Sequence, residues 1–181
     1  MDHIVFVRAF LKNWRETGSL VPSSSFLARK MIKPVDFSKA QIIVELGAGT
    51  GIITKMILKK MRKDARLLVF EINENFCERL VAFKDNRLEI IRDSAVEMQK
   101  YLDTDKAHYV ISGLPLANFS HDLKRRLLTS IYNNLEVGGK YTQFQYWPRS
   151  YGAVKDIFGY IGLSFSLINL PPAFVYECSK K

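Results

Sequence analysis

The spacing of apolar residues changes period several times along this chain. QIIVELGAG (41–49) is apolar almost without a break before its glycines, the pattern of a strand buried on both faces. TGIITKMILKKM (50–61) then switches to a helical period. The same alternation repeats. ARLLVFEIN (65–73), RLEIIRD (87–93), AHYVISGLP (107–115) and KYTQFQYW (140–147) are predicted as strands. ENFCERLVAFK (74–84), a short stretch around AVEMQKYL (95–102) and HDLKRRLLTSIYNNL (121–135) are predicted as helices, the last stopped by Gly138 and Gly139. Strands alternating with helices imply a parallel sheet covered on both faces, an α/β domain. The tail breaks the rhythm. YGAVKDIFGYIG (151–162) reads as a helix, and SFSLINL and AFVYECS as two strands joined through Pro171 and Pro172, a connection short enough for an antiparallel pair. At the other end, Ile4, Val7, Leu11 and Trp14 form an apolar helical stripe flanked by Arg8, Lys12 and Arg15.

With 181 residues the chain is long enough for one full core, and at 48% apolar it is expected to fold rather than stay disordered. The formal charge of +9 favours an anionic partner, nucleic acid or an anionic membrane surface, without choosing between them. Cys77 and Cys178 offer neither zinc spacing nor a disulfide framework and read as reduced, packed thiols. His3, His108 and His121 form no ligand spacing, so no metal is expected. No apolar run reaches the ~18 residues that span a bilayer, and no signal-peptide pattern is evident. The expected setting is cytoplasmic.

The candidate chemistry gathers at strand ends. The first strand closes in VELGAGTG, whose glycines 47, 49 and 51 permit a tight turn and close approach to a ligand at a helix N-terminus. The spacing matches neither the dinucleotide-binding fingerprint nor a P-loop. Glu45 precedes the first glycine. Glu71 ends the second strand, where a carboxylate can accept both hydroxyls of a ribose. Asp93 follows the third strand in the turn DSA, where it can accept from an adenine amino group. Each acid taken singly also fits a solvated strand end or a helix cap. Their convergence on one sheet edge favours ligand binding.

VELGAGTGIIT, Glu71, DSA and SGLP, in this order, resemble a class I S-adenosylmethionine-dependent methyltransferase over roughly residues 40 to 178. The resemblance implies a Rossmann-like seven-stranded sheet with a reversed last strand. It also implies a cofactor site in which Glu45, Gly47, Ala48, Gly49 and Gly51 face the methionine portion. Glu71 would hold the ribose with Ile72 packed on the adenine, Asp93 and Ser94 would meet the adenine edge, and Ser112 completes the set. Methyltransferases of base amines often carry Asn-Leu-Pro-Tyr or Asn-Pro-Pro-Tyr where this chain has Gly113, Leu114, Pro115 and Leu116. Gly113 removes the amide and Leu116 the stacking ring. The carbonyls of Gly113 and Leu114 remain to hold a neutral alkyl amine, Pro115 fixes the turn, and aromatic residues suit the methylated cation. Tyr141, Phe144, Tyr146 and Trp147 supply candidates, or ordinary strand packing; Tyr146, at the strand's end, is the preferred site residue.

The arm 2–16 fits a helix lying in a membrane interface with its basic residues toward anionic headgroups, each contributing about 1 kcal/mol. It equally fits a helix packed on the sheet, and a lid role suits both. This arm, TGSLVPSSSFLARKM, the glycine loop, SGLPL and QFQYWP together resemble the small soluble phospholipid N-methyltransferases of bacteria, relatives of the ribosomal RNA adenine dimethylases. That resemblance implies methyl transfer to phosphatidylethanolamine and its methylated forms by a peripheral membrane enzyme. Residues 1–36 would be the arm or lid and 37–181 the methyltransferase domain, with Ser24 and Ser25 near the pocket. The alternatives are an RNA or DNA amine methyltransferase, a methyltransferase of a small soluble amine, and a cofactor-binding protein without catalysis.

Overall fold

The computed structural model describes residues 25–166 and 173–181. The 2–16 stripe, Ser24 and the Pro171–Pro172 link lie outside them. Seven strands form one sheet: β1 (Ile42–Leu46), β2 (Arg66–Phe70), β3 (Leu88–Ile91), β4 (Ala107–Ser112), β5 (Leu135–Gln145), β6 (Gly162–Ser166) and β7 (Ala173–Ser179). Their spatial order is β3-β2-β1-β4-β5-β7-β6. Strands β1 to β5 pair in parallel, and β7 runs antiparallel to both β5 and β6. The sheet thus has the predicted class and the predicted reversed strand. Its order switches between β1 and β4, which opens a crevice at their carboxyl ends.

Parallel strands alternate their side chains between two covered faces. Val44, Leu46, Leu68, Phe70 and Val110 point to one face. There α5 (His121–Asn134) contributes Leu127, Leu128 and Ile131, and α6 (Tyr151–Phe158) contributes Val154 and Phe158. Ile43, Leu67, Val69 and Ile111 point to the other face. It is covered by α1 (Ser25–Ile32) through Leu27, Ala28 and Met31, and by α2 (Ile52–Lys60) through Ile53 and Ile57. Each fully buried aliphatic side chain contributes about 1.5–3 kcal/mol. Helix α1 lies within the 1–36 segment expected as arm or lid, its Leu27, Ala28 and Met31 are core, and Lys30 in its last turn donates to the Phe165 carbonyl. The remaining helices are α3 (Glu74–Val81) and the single-turn α4 (Gln99–Leu102).

One boundary differs from the pattern reading. Gly138 and Gly139 do not stop α5, which ends at Asn134 with Leu135 already extended. They sit inside β5, where the pairing with β4 shifts between Ala107↔Leu135 and Tyr109↔Lys140. Gly138 has φ +80°, and a Cβ on Gly139 would stand 3.1 Å from the His108 carbonyl oxygen. The bulge needs glycine as much as a helix cap does, but for a sheet irregularity.

Candidate active site

The turn after β1 is built by backbone contacts. Gly47, at φ +73°, donates its N–H to the Phe70 carbonyl at 2.8 Å. A Cβ there would meet Leu114 Cδ2 at 2.8 Å, so the glycine lets the loop after β4 close onto the loop after β1. Gly113 is the reciprocal point. Its N–H donates to the Leu46 carbonyl at 2.8 Å, and a Cβ on it would stand 2.8 Å from the Gly47 carbonyl oxygen.

Two buried carboxylates lie under this turn. Glu71, 5% exposed, accepts the Gly49 N–H at 2.9 Å and the Asn73 N–H at 2.8 Å. Burial raises its pKa, and the N–H groups of Asn73 and Gly49 oppose that rise. Glu45 points to the α2 side and accepts the Thr54 hydroxyl at 2.7 Å. Its Oε1 is buried with no hydrogen-bond partner among the described residues. Burial pushes the Glu45 carboxyl up to about 8; Thr54 opposes the shift and the charge of Glu71 adds to it. A buried carboxylate oxygen without a donor fits a cationic group above it, and the Gly49 N–H held by Glu71 keeps the turn open. The residues present therefore fit S-adenosylmethionine.

The other expected contacts sit at the same strand ends but are partly engaged. Asp93 accepts the Ser94 N–H at 2.6 Å and the Tyr101 hydroxyl at 2.9 Å, and the Tyr101 ring meets Phe70 edge-on. The Ser94 hydroxyl accepts the Val96 N–H and so caps a 3₁₀ turn. Ile72 and Ala48 are half-buried beside the turn. Ser112 is fully buried and accepts the Leu114 N–H at 3.2 Å.

An open cleft of about 410 Å³, its mouth included, adjoins this edge. It lies between the turn Gly113–Pro115, Ala117 and Asn118, and the stretch Phe144–Trp147 at and just beyond the end of β5. Phe144 and Tyr146 meet edge-to-face at 5.7 Å, and Trp147 is 69% exposed. Tyr146 thus stands in the cleft wall. Leu116 does not: it is fully buried in the core beneath the loop, so aromatic surface comes from β5 instead. The two loop carbonyls are also unequal. That of Leu114 already accepts the side-chain amides of Gln143 at 2.9 Å and Gln145 at 3.1 Å. That of Gly113 accepts no hydrogen bond among the described residues. Pattern reading missed both glutamines, along with Thr54 and Tyr101. The available signal was Gln143 and Gln145 at a period of two within a strand otherwise buried on both faces.

The ribosomal RNA adenine dimethylase model matches residues 18–143. The ornithine lipid N-methyltransferase of Singulisphaera acidiphila is 31% identical, over 98% of this chain and 95% of its own. Among solved structures, the 1,6-didemethyltoxoflavin N1-methyltransferase of Burkholderia thailandensis, solved with bound 1,6-didemethyltoxoflavin and S-adenosylhomocysteine, superposes with a TM-score of 0.73 at 13% identity, covering 98% of this chain and 88% of that one. The N-methyltransferase NodS of Bradyrhizobium japonicum, solved with S-adenosylhomocysteine, gives a TM-score of 0.70 at 9% identity, over 90% and 89%. At these identities the solved structures speak to the fold. The family match and the full-length relative go further: the chain belongs to the ribosomal RNA adenine dimethylase family and is a class I S-adenosylmethionine-dependent N-methyltransferase.

Proposed function

We propose that this enzyme methylates the amine of a membrane lipid headgroup from the cytoplasmic face of the membrane, with phosphatidylethanolamine and its methylated forms as acceptors. The observation that carries the reading is the end-to-end likeness to an ornithine lipid N-methyltransferase. The cleft supports it. A base amine calls for an amide acceptor and a stacking ring, whereas positions 113 and 116 hold glycine and a core leucine. An alkyl amine needs only one acceptor for a neutral N–H and aromatic faces for the cation that methylation leaves.

S-adenosylmethionine supplies, when bound, an electrophilic methyl group. The rest falls to the chain. Gly113 offers its carbonyl to the N–H of a primary or secondary amine and so directs the lone pair; the dimethylated amine, which has no N–H, is held by the aromatic faces alone. Phe144, Tyr146 and Trp147 stabilise the alkylated ammonium. The proton leaves through the open mouth to water. Orientation supplies most of the acceleration. Residues 2–16 would hold the enzyme on an anionic leaflet through Arg8, Lys12 and Arg15. No helix among the described residues is long and apolar enough to cross a membrane.

The test is transfer of labelled methyl to phosphatidylethanolamine, to ornithine lipid and to ribosomal RNA, with a parallel sample lacking residues 2–16. Label in phosphatidylethanolamine, reduced without the arm, supports the full reading. Label in ornithine lipid alone keeps the lipid amine and corrects the headgroup. Label in RNA alone, which the family match and the charge of +9 would then explain, overturns the lipid reading.

A further inference from the structure

The loop that floors the acceptor cleft is tied from below by two buried amides. Gln145, the last residue of β5 and 4% exposed, donates from Nε2 to the Leu114 carbonyl and accepts the Ala117 N–H at 3.2 Å on Oε1. Its one side chain therefore spans the loop across Pro115 and Leu116. Gln143, fully buried two residues earlier, donates to the same Leu114 carbonyl and to the Phe144 carbonyl at 2.7 Å. Its Oε1 accepts the hydroxyl of Tyr141 at 2.6 Å, itself fully buried. Only one orientation of the Gln145 amide satisfies its partners. Flipped, it would set oxygen against the Leu114 carbonyl and N–H against N–H.

The consequence is chemical. With three donors on it, the two glutamine amides and the Leu116 N–H at 2.9 Å, the Leu114 carbonyl is closed to the substrate amine, and the neighbouring Gly113 carbonyl is the one left open. We propose that Gln145, backed by Gln143, is the positioning residue of the acceptor site, holding the Leu114–Ala117 loop so that Gly113 alone receives the amine. This deepens the lipid-amine reading and rests on it for the identity of the acceptor. Misplacing a reacting group by about 1 Å can cost roughly 100-fold in rate. A loop released from its tie is therefore expected to slow transfer without preventing cofactor binding.

Two variants of the full chain test this. Gln145→Met keeps volume and removes both hydrogen bonds. Gln145→Glu keeps the acceptor for Ala117, and when protonated it also restores a donor to Leu114. The first readout is hydrogen exchange, which needs no substrate. In Gln145→Met the amides of Gly113, Leu114, Leu116, Ala117 and Asn118 should exchange about tenfold faster, with α5 and β1 unchanged. The second readout is the single-turnover rate per cofactor-loaded site at saturating acceptor. Gln145→Met should lose about 10- to 100-fold at every pH. The ratio of Gln145→Glu to wild type should fall as pH rises and the new carboxyl ionises, a signature that general loosening of the fold does not give. Wild-type exchange in the loop of Gln145→Met, a wild-type rate per loaded site, or a pH-independent Gln145→Glu ratio would each overturn the proposal. If the wild type binds cofactor and labels no lipid, the lipid reading fails, and the exchange arm still decides the tie.

Discussion

Replacing Gly113 by alanine probes the contact between the two loops that make the site. An ideal Cβ there would lie 2.8 Å from the Gly47 carbonyl oxygen, whereas ordinary contact begins at 3.4 Å. The shortfall is therefore about 0.6 Å, between two backbones, with no flexible side-chain end to swing aside. Retreat is resisted on the Gly113 side by its N–H bond to Leu46 and on the Gly47 side by the bond to Phe70. Overpacking of this kind costs about 1–3 kcal/mol. For a chain of this size that lowers the melting temperature by about 2–12 °C, at 2–4 °C per kcal/mol. The turn also carries the Gly49 N–H to Glu71, so displacing it should weaken S-adenosylhomocysteine binding about tenfold, or about 1.4 kcal/mol. Thermal melting and calorimetric titration read the two effects. Gly152→Ala is the control: it lies within α6 with nothing within 4 Å, and should be neutral or stabilise by up to about 1 kcal/mol. A Gly113→Ala protein that melts with the wild type and binds the product equally well would refute the account.

Glu45 makes stability fall with pH. Its folded pKa of about 8 lies above the ordinary 4.5, so the native state holds a proton that the unfolded chain releases. The contribution is complete below the lower value and lost as pH rises through the upper one. Urea midpoints should thus decline from about pH 5 to about pH 9 in the wild type, and Glu45→Gln should flatten the decline; parallel curves would contradict it. Glu71→Gln places an amide N–H₂ against the N–H of Gly49 or Asn73, and calorimetry should show cofactor affinity reduced at least about tenfold. Leu116→Ala should cost about 2–5 kcal/mol of stability by chemical denaturation; a change confined to the acceptor KM would instead put Leu116 in the cleft wall.

The sheet was legible because parallel strands buried on both faces read as unbroken apolar runs between turn residues. The reversed β7 was legible because the Pro171–Pro172 link is too short for a crossover. Gly138 and Gly139 were ambiguous for a physical reason. A helix end and a β-bulge both demand a residue without Cβ, and only the pairing with β4 decides. At the site, Glu45, Glu71 and the glycines were visible from their place at strand ends. Leu116 was read as removing the stacking ring; that its side chain turns into the core depends on the packing beneath the proline turn. Gln143 and Gln145 went unread beside the aromatic residues of their strand, because their worth lies in partners 28 to 31 residues away.

Strand β7 comes last in sequence but not last in space, since it lies between β5 and β6. Lys180, just beyond it, exchanges backbone hydrogen bonds with Gly138 and Gly139 at 2.9 and 3.0 Å. A ribosome making this chain therefore emits β5, the strand that carries Gln143 and Gln145, well before the neighbour that shields its flank. Until β7 threads into place, β5 presents an unpaired apolar edge open to other nascent chains. Completion of the acceptor cleft is thereby tied to translation of β7, and a chaperone that masks β5 during that interval should raise the yield of active enzyme.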